Sequence, residues 1–141
     1  MPDNAIAIKY ENKTGNKVFV FEHYTSGALT AAATKKEWIV PFYARIVDVV
    51  VDSAGAGVGT NPTIIDVNRN GTTIFTDQDN RPTLRSNNTG YYLNGADGFS
   101  ERLKPDITRL VPGDILSYDV DQIQATSGNT RTTVAIILEP V

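Results

Sequence analysis

The chain has 141 residues and a net charge of −3, enough for one domain that buries roughly two-thirds of its unfolded surface. It has no cysteine and one histidine, His23, which excludes disulfides, thiolate zinc sites, cysteine nucleophiles and multi-histidine metal centres. No basic run exceeds Lys35-Lys36 and no apolar run approaches membrane-spanning length, so neither a nucleic-acid surface nor a membrane span is expected.

The start, Met1-Pro2-Asp3-Asn4, is acidic where a signal peptide would be basic. With the sole methionine at position 1, the expectation is a full product made and used in a cytoplasm. Ile6, Ile8 and Tyr10 alternate as a strand would, and residues 1–37 are expected to form an N-terminal arm or extra strand. Val18-Phe19-Val20-Phe21 is β-branched and aromatic, bounded by Gly15-Asn16 and Ser26-Gly27. Ser26 to Lys36 is rich in alanine but lacks an apolar stripe of helical period, so an ordered loop or one short turn is expected.

Glu37 to Val51 is a long β-rich run interrupted by Pro41, which cannot donate to a ladder; the strand should bend or change partner there. Simple alternation then places Val47, Val49 and Val51 on one face and Ile46, Asp48 and Val50 on the other. Asp52 to Pro62 is glycine-rich and reads as a flexible loop. Thr63 to Thr76 reads as a β-hairpin around Asn70-Gly71, the pair that most readily takes positive φ, with Thr72 to Phe75 as the return strand. Asp77 to Arg109 is mostly turn residues with Tyr91, Tyr92, Leu93, Phe99 and Leu103 among them; a connection of that length is often functional.

Val111-Pro112-Gly113-Asp114 has the form of a type II turn. Ile115 to Ile123 follows as a strand with Leu116, Tyr118 and Val120 on one face. Thr132 to Leu138, apolar on both faces, should be a central strand. Strands spaced this way without βαβ alternation predict an all-β, antiparallel sandwich or barrel.

Chemistry is sparse. Asp77-x-Asp79, Asp119-x-Asp121 and Asp48 with Asp52 are acidic pairs, but none sits in a loop with calcium-ligand spacing, and a solvated face with turn capping is the expectation. Asp66 and Asn68 flank the Asn-Gly turn and should hold it by side-chain-to-backbone hydrogen bonds. No carboxylate pair stands out for glycoside hydrolysis. No Gly-x-Ser-x-Gly elbow accompanies His23, which should be a strand-end residue with local hydrogen bonds. No enzyme activity and no cofactor is expected.

The segment Asp66-Val67-Asn68-Arg69-Asn70-Gly71-Thr72-Thr73-Ile74-Phe75-Thr76, with Arg81-Pro82-Thr83 after it, resembles the D-V-N-x-N-G-T-T-I-F-T … R-P-T stretch of small structural proteins of tailed bacteriophages. Trp38-Ile39-Val40-Pro41-Phe42, Gly59-Thr60-Asn61-Pro62 and Pro112-Gly113-Asp114 leading into Asp119-Val120-Asp121-Gln122-Ile123 match that family in order and spacing. The chain departs from it at Gln124 to Arg131, where only Gly128 stands in a usually glycine-rich stretch, and at Asn87 to Phe99, which is longer and more aromatic. The resemblance implies a jelly-roll-like β-sandwich and a head decoration (cement) protein. Such a protein is synthesised in the host cytoplasm and sits on the outer surface of the virion head as a homotrimer bound to the major capsid protein. The interface residues expected on that reading are Ile6, Ile8, Tyr10, Trp38, Tyr91, Tyr92 and Phe99. The alternative is a tail-associated receptor- or carbohydrate-binding protein, with Trp38, Tyr91 and Tyr92 stacking on sugar rings.

Overall fold

A computed structural model describes residues 8–11, 17–84, 90–92 and 107–141. The strands are β1 (Ile8–Glu11), β2 (Lys17–Thr25), β3 (Ala32–Ile39), β4 (Ala44–Gly55), β5 (Thr63–Arg69), β6 (Thr72–Thr73), β7 (Thr83–Leu84), β8 (Gly90–Tyr92), β9 (Arg109–Leu110), β10 (Ile115–Gln122) and β11 (Thr130–Pro140). They form two antiparallel sheets. The first has the order β1-β2-β11-β4-β8, with β9 also on β4; the second has the order β3-β10-β5-β6, with β7 also on β5. The chain changes sheet at each step from β2 through β5 and again before β8, β10 and β11, which is the winding of a jelly roll. Among the described residues no helix is long and apolar enough to cross a membrane.

The core lies between the sheets. β11 is central, paired with β2 on one side and β4 on the other, and buries Val134, Ile136 and Leu138. From β2, Phe21 stacks on Trp38 of β3 at 5.9 Å, and Trp38 stacks on Tyr118 of β10 at 6.1 Å. Burying rings of this size stabilises the fold by about 2 kcal/mol each. His23 is not the locally bonded strand-end residue the sequence suggests. It is buried, and its Nδ1 shares a 2.7 Å hydrogen bond with the Tyr118 hydroxyl, so that bond ties one sheet to the other.

Several expectations need correction. Within residues 1–37, β1 and β2 are extra strands of the first sheet, one of the two forms expected, and residue 37 lies inside β3. The strand β3 begins at Ala32, inside the stretch expected to be a loop, because pairing with β10 overrides the weak strand preference of alanine. At Pro41 the chain does leave one sheet for the other. The faces of β4 do not follow simple alternation. Ile137 pairs with Asp48 and Leu138 with Ile46, so Val47 is the extra residue of a bulge and both Ile46 and Val49 are buried. The Asp48 carboxylate accepts from the Val49 N–H at 2.8 Å and holds that bulge.

The glycine-rich stretch is not a free loop. β4 runs on to Gly55, and Val58 is bridged to Ser127. A Cβ at Gly57 would sit 2.7 Å from the Ser127 carbonyl oxygen, and one at Gly128 would sit 2.2 Å from that of Leu29. Leu29 N–H donates to the Asn129 carbonyl at 2.8 Å, and Thr63 Oγ1 donates to Asn129 Oδ1 at 2.8 Å. Three connections thus close one end of the sandwich by backbone contact.

The strand edges are divided. The outer side of β4 is shared by β9 and β8, and that of β5 by β6 and β7. β3, at the edge of the second sheet, carries Lys35, Lys36 and Glu37 and has Thr34 at φ 52°.

Gly128→Ala should cost about 2 kcal/mol, read as a lower denaturation midpoint. Gly27→Ala, where a Cβ would meet nothing within 4 Å, should leave stability unchanged or slightly higher. Equal effects of the two would show that close approach is not what Gly128 provides.

Candidate functional site

At the opposite end the hairpin and the type II turn meet. Asn70 (φ 50°) and Gly71 (φ 83°) give the two-residue turn between β5 and β6 its type I′ form. Only Thr72 and Thr73 continue as a strand. Ile74 keeps a 2.9 Å bond from its N–H to the Val67 carbonyl, then Ile74 and Phe75 turn into the core, both 0% exposed. Across from the hairpin, Gly113 (φ 93°) and a 3.1 Å bond from Asp114 N–H to the Val111 carbonyl form the predicted turn.

Asp114 joins these pieces. Its Oδ2 accepts from the Val111 N–H at 2.8 Å and from Arg69 Nε at 2.9 Å, while its Oδ1 accepts from Asn70 Nδ2 at 2.9 Å. Asn70 Oδ1 in turn accepts from the Ile115 N–H at 2.9 Å. The Asp114 carbonyl takes the Val40 N–H at 2.8 Å, which brings in the crossing from β3 to β4. Burial pushes the Asp114 carboxyl up, but the Val111 N–H, Asn70 and Arg69 together outweigh it and hold the group below the ordinary carboxylate value.

Around this corner gather five of the seven large apolar side chains that are exposed among the described residues: Ile39, Tyr43, Val111, Ile115 and Val141. Ile39 (71% exposed) and Ile115 (39%) are direct cross-strand partners, so their side chains leave the same face of the second sheet. The inward pair beside them, Trp38 and Leu116, is buried. Val141 N–H donates to the Tyr43 carbonyl at 3.1 Å, which brings those two residues to the same end. A cleft of ≈310 Å³ lies there too, lined by Arg45, Thr108, Arg109, Glu139 and Val141. Its lining carries charge of both signs, with Arg45 paired to Glu139 at 3.2 Å.

On the outer face of the second sheet, Asp66, Asp119 and Asp121 bring carboxylate oxygens within 4.8 Å of one another. Each is held by protein donors. Thr73 Oγ1 donates to Asp66 at 2.6 Å, and Asn68 Nδ2 and the Thr34 N–H donate to Asp119 at 2.8 and 2.7 Å. Arg81 Nη1 donates to Asp121 at 2.6 Å. Asp66 therefore ties the two hairpin strands through the Thr73 side chain and not through the turn's backbone, and Asn68 reaches β10 instead of the turn. Burial first, then the nearby Asp121 charge, raises the Asp66 carboxyl above its ordinary value against the Thr73 bond that lowers it. Asp77 caps the short 3-10 turn Gln78–Asn80 by accepting from the Asp79 N–H at 3.1 Å.

The residues expected at an interface scatter. Ile8 and Tyr10 lie in β1 opposite Val20 and Val18, so this strand extends the chain's own sheet. Tyr91 and Tyr92 lie in β8 opposite Asp52 and Val51. Ile6 and Phe99 lie outside the described residues. Trp38 is a correction: at 4% exposure, between Phe21 and Tyr118, it cannot stack on a partner, and its indole N–H is buried without an acceptor. Ile39 and Ile115 were missed, although period-two alternation from Trp38 and Leu116 points both outward. No family model, curated protein or solved structure matches the chain.

The folded Asp114 carboxyl titrates below its unfolded value, so its contribution is fully present above that unfolded value, about pH 4. It is lost as pH falls through the folded one. Asp114→Ala should cost about 3 kcal/mol at neutral pH by leaving buried donors unpaired. It should also flatten the acid limb of the stability curve, and an unchanged acid limb would refute this role.

Asp66 has the opposite sign: it favours the folded state while protonated, and the benefit fades as pH rises through its raised value. Asp66→Asn, which keeps an acceptor for Thr73, should raise the melting temperature at neutral pH and not at about pH 3. With its oxygens held by protein donors, the carboxylate cluster should show no change in melting temperature on calcium titration; a rise would assign it to a cation.

Proposed function

We propose that this chain is a structural protein of a tailed-bacteriophage virion, a decoration protein that binds the major capsid protein on the outer head surface as a homotrimer. The observation that carries the reading is spatial. Asp66 to Thr76 and Pro112-Gly113-Asp114, two of the separated segments on which the family likeness rests, meet at one corner through Asp114. Part of the likeness thus falls on residues that build this end of the sandwich, and the same end presents Ile39, Tyr43, Val111, Ile115 and Val141.

The mechanism is passive. An exposed apolar end set on a two-sheet scaffold is suited to contact with another protein. A protein that binds only the assembled shell stabilises it by mass action, and modest contacts repeated by symmetry add up. β1, on the outer side of β2, offers a second contact through its backbone edge. The receptor- or sugar-binding reading is weakened by the burial of Trp38, one of its three stacking aromatics.

Immunogold labelling of the parent virion should place the chain on the head. Gold on the tail would overturn the reading in favour of receptor binding. The double variant Ile39→Asp/Ile115→Asp should weaken binding to undecorated heads by about tenfold or more while the folded state survives, since both side chains point to solvent. Unchanged affinity would exclude this end as the docking surface.

A further inference from the structure

We propose that Asn70 is a latent deamidation site whose reactivity is held in check by the Asp114 corner, and that its modification opens that corner irreversibly. Asn70 precedes Gly71, and the position of a Cβ on Gly71 has nothing within 4 Å. Residue 71 thus has no side chain to crowd the backbone nitrogen that would attack. In the reaction the Gly71 nitrogen bonds to Asn70 Cγ and gives up its proton to solvent. The Cγ–Nδ2 bond breaks, and Nδ2 leaves as ammonia. Water then opens the resulting five-membered imide at either carbonyl, leaving aspartate or isoaspartate. The net change is one water consumed and one ammonia released, with no oxidant or reductant.

The fold opposes the first step. Both polar atoms of the Asn70 amide are engaged: Nδ2 donates to Asp114 Oδ1 at 2.9 Å, and Oδ1 accepts from the Ile115 N–H at 2.9 Å. The Asn70 N–H also donates to the Ile115 carbonyl at 2.8 Å. To turn Cγ toward the Gly71 nitrogen, the amide must leave β10 and give up both side-chain bonds. Attack therefore requires a local opening of the corner, and the rate follows the population of that open form.

The product cannot return to the same place. An oxygen of the new carboxylate replaces the Nδ2 donor and faces the Asp114 carboxylate, which is 5% exposed; like charges at that separation repel. The isoaspartate form adds a methylene to the backbone of a two-residue turn and displaces the Ile115 pairing as well.

Peptide mapping by mass spectrometry over time tests this on the intact chain, folded and denatured. The chain's other Asn-Gly, Asn94-Gly95, is read in the same digests. In denaturant the two asparagines should convert at similar rates. In the folded protein Asn70 should convert more slowly than in denaturant by about tenfold or more. Asp114→Asn should speed Asn70 in the folded protein while leaving Asn94 at its wild-type rate. Equal rates for Asn70 folded and denatured would overturn the protection.

The consequence has its own test, which needs no Asp114 variant to fold. Asn70→Asp should melt lower than Asn70→Gly at neutral pH, since both lose the bond to Asp114 but only one adds charge. The gap should close once the carboxylates are protonated. Equal melting temperatures at neutral pH would overturn the coupling to Asp114.

Discussion

One carboxylate, that of Asp114, gives this end of the sandwich its form. A jelly roll must carry its chain from sheet to sheet over the ends, where backbone donors and acceptors no longer have ladder partners. Asp114 answers that need for three connections at once: its side chain takes donors from Val111, Arg69 and Asn70, and its carbonyl takes the Val40 N–H. Charge-assisted bonds to an ionised group are stronger than neutral ones. The three donors to the side chain, Val111, Asn70 and Arg69, outweigh the burial that pushes its carboxyl up. The exposed residues Ile39, Val111 and Ile115 are held in place by this same set of bonds.

The other end solves the same problem without charge. There Gly57, Gly59 and Gly128 let backbone meet backbone, and Asn129 satisfies Leu29 and Thr63. The two ends therefore fail differently. One depends on the ionisation of a single acid, the other on the absence of a Cβ at a few positions. The core between them is closed by the aromatic row Phe21, Trp38 and Tyr118, which spans both sheets and uses the His23–Tyr118 bond as a cross-tie.

The sequence was most informative where a local signal and the final structure have the same cause. Asn70-Gly71 and Pro112-Gly113 make their turns for reasons internal to those residues, and the apolar run of β11 marks a strand with neighbours on both sides. It was least informative where a residue's role is set by a partner far along the chain. Nothing near His23 signals Tyr118, and nothing near Asp114 signals Asn70. The bulge at Val47 is invisible to alternation, because one extra residue reverses the phase of everything before it. Trp38 was misjudged because an aromatic residue at a strand end serves core and surface equally well. Its neighbour Ile39 faces out, as alternation from a buried Trp38 requires.

The division of the strand edges bears on how many copies can share a small space. An uncovered strand is a template on which another chain can extend a sheet. Here β4 and β5 are each capped by two short strands, and β3 carries two lysines, a glutamate and a left-handed threonine. A neighbour approaching β3 meets charge and a kink where it would need a straight row of hydrogen-bonding groups. Sheet extension between copies is therefore discouraged at β3, β4 and β5, which leaves the outer side of β1 as the edge on which a neighbour's strand would add.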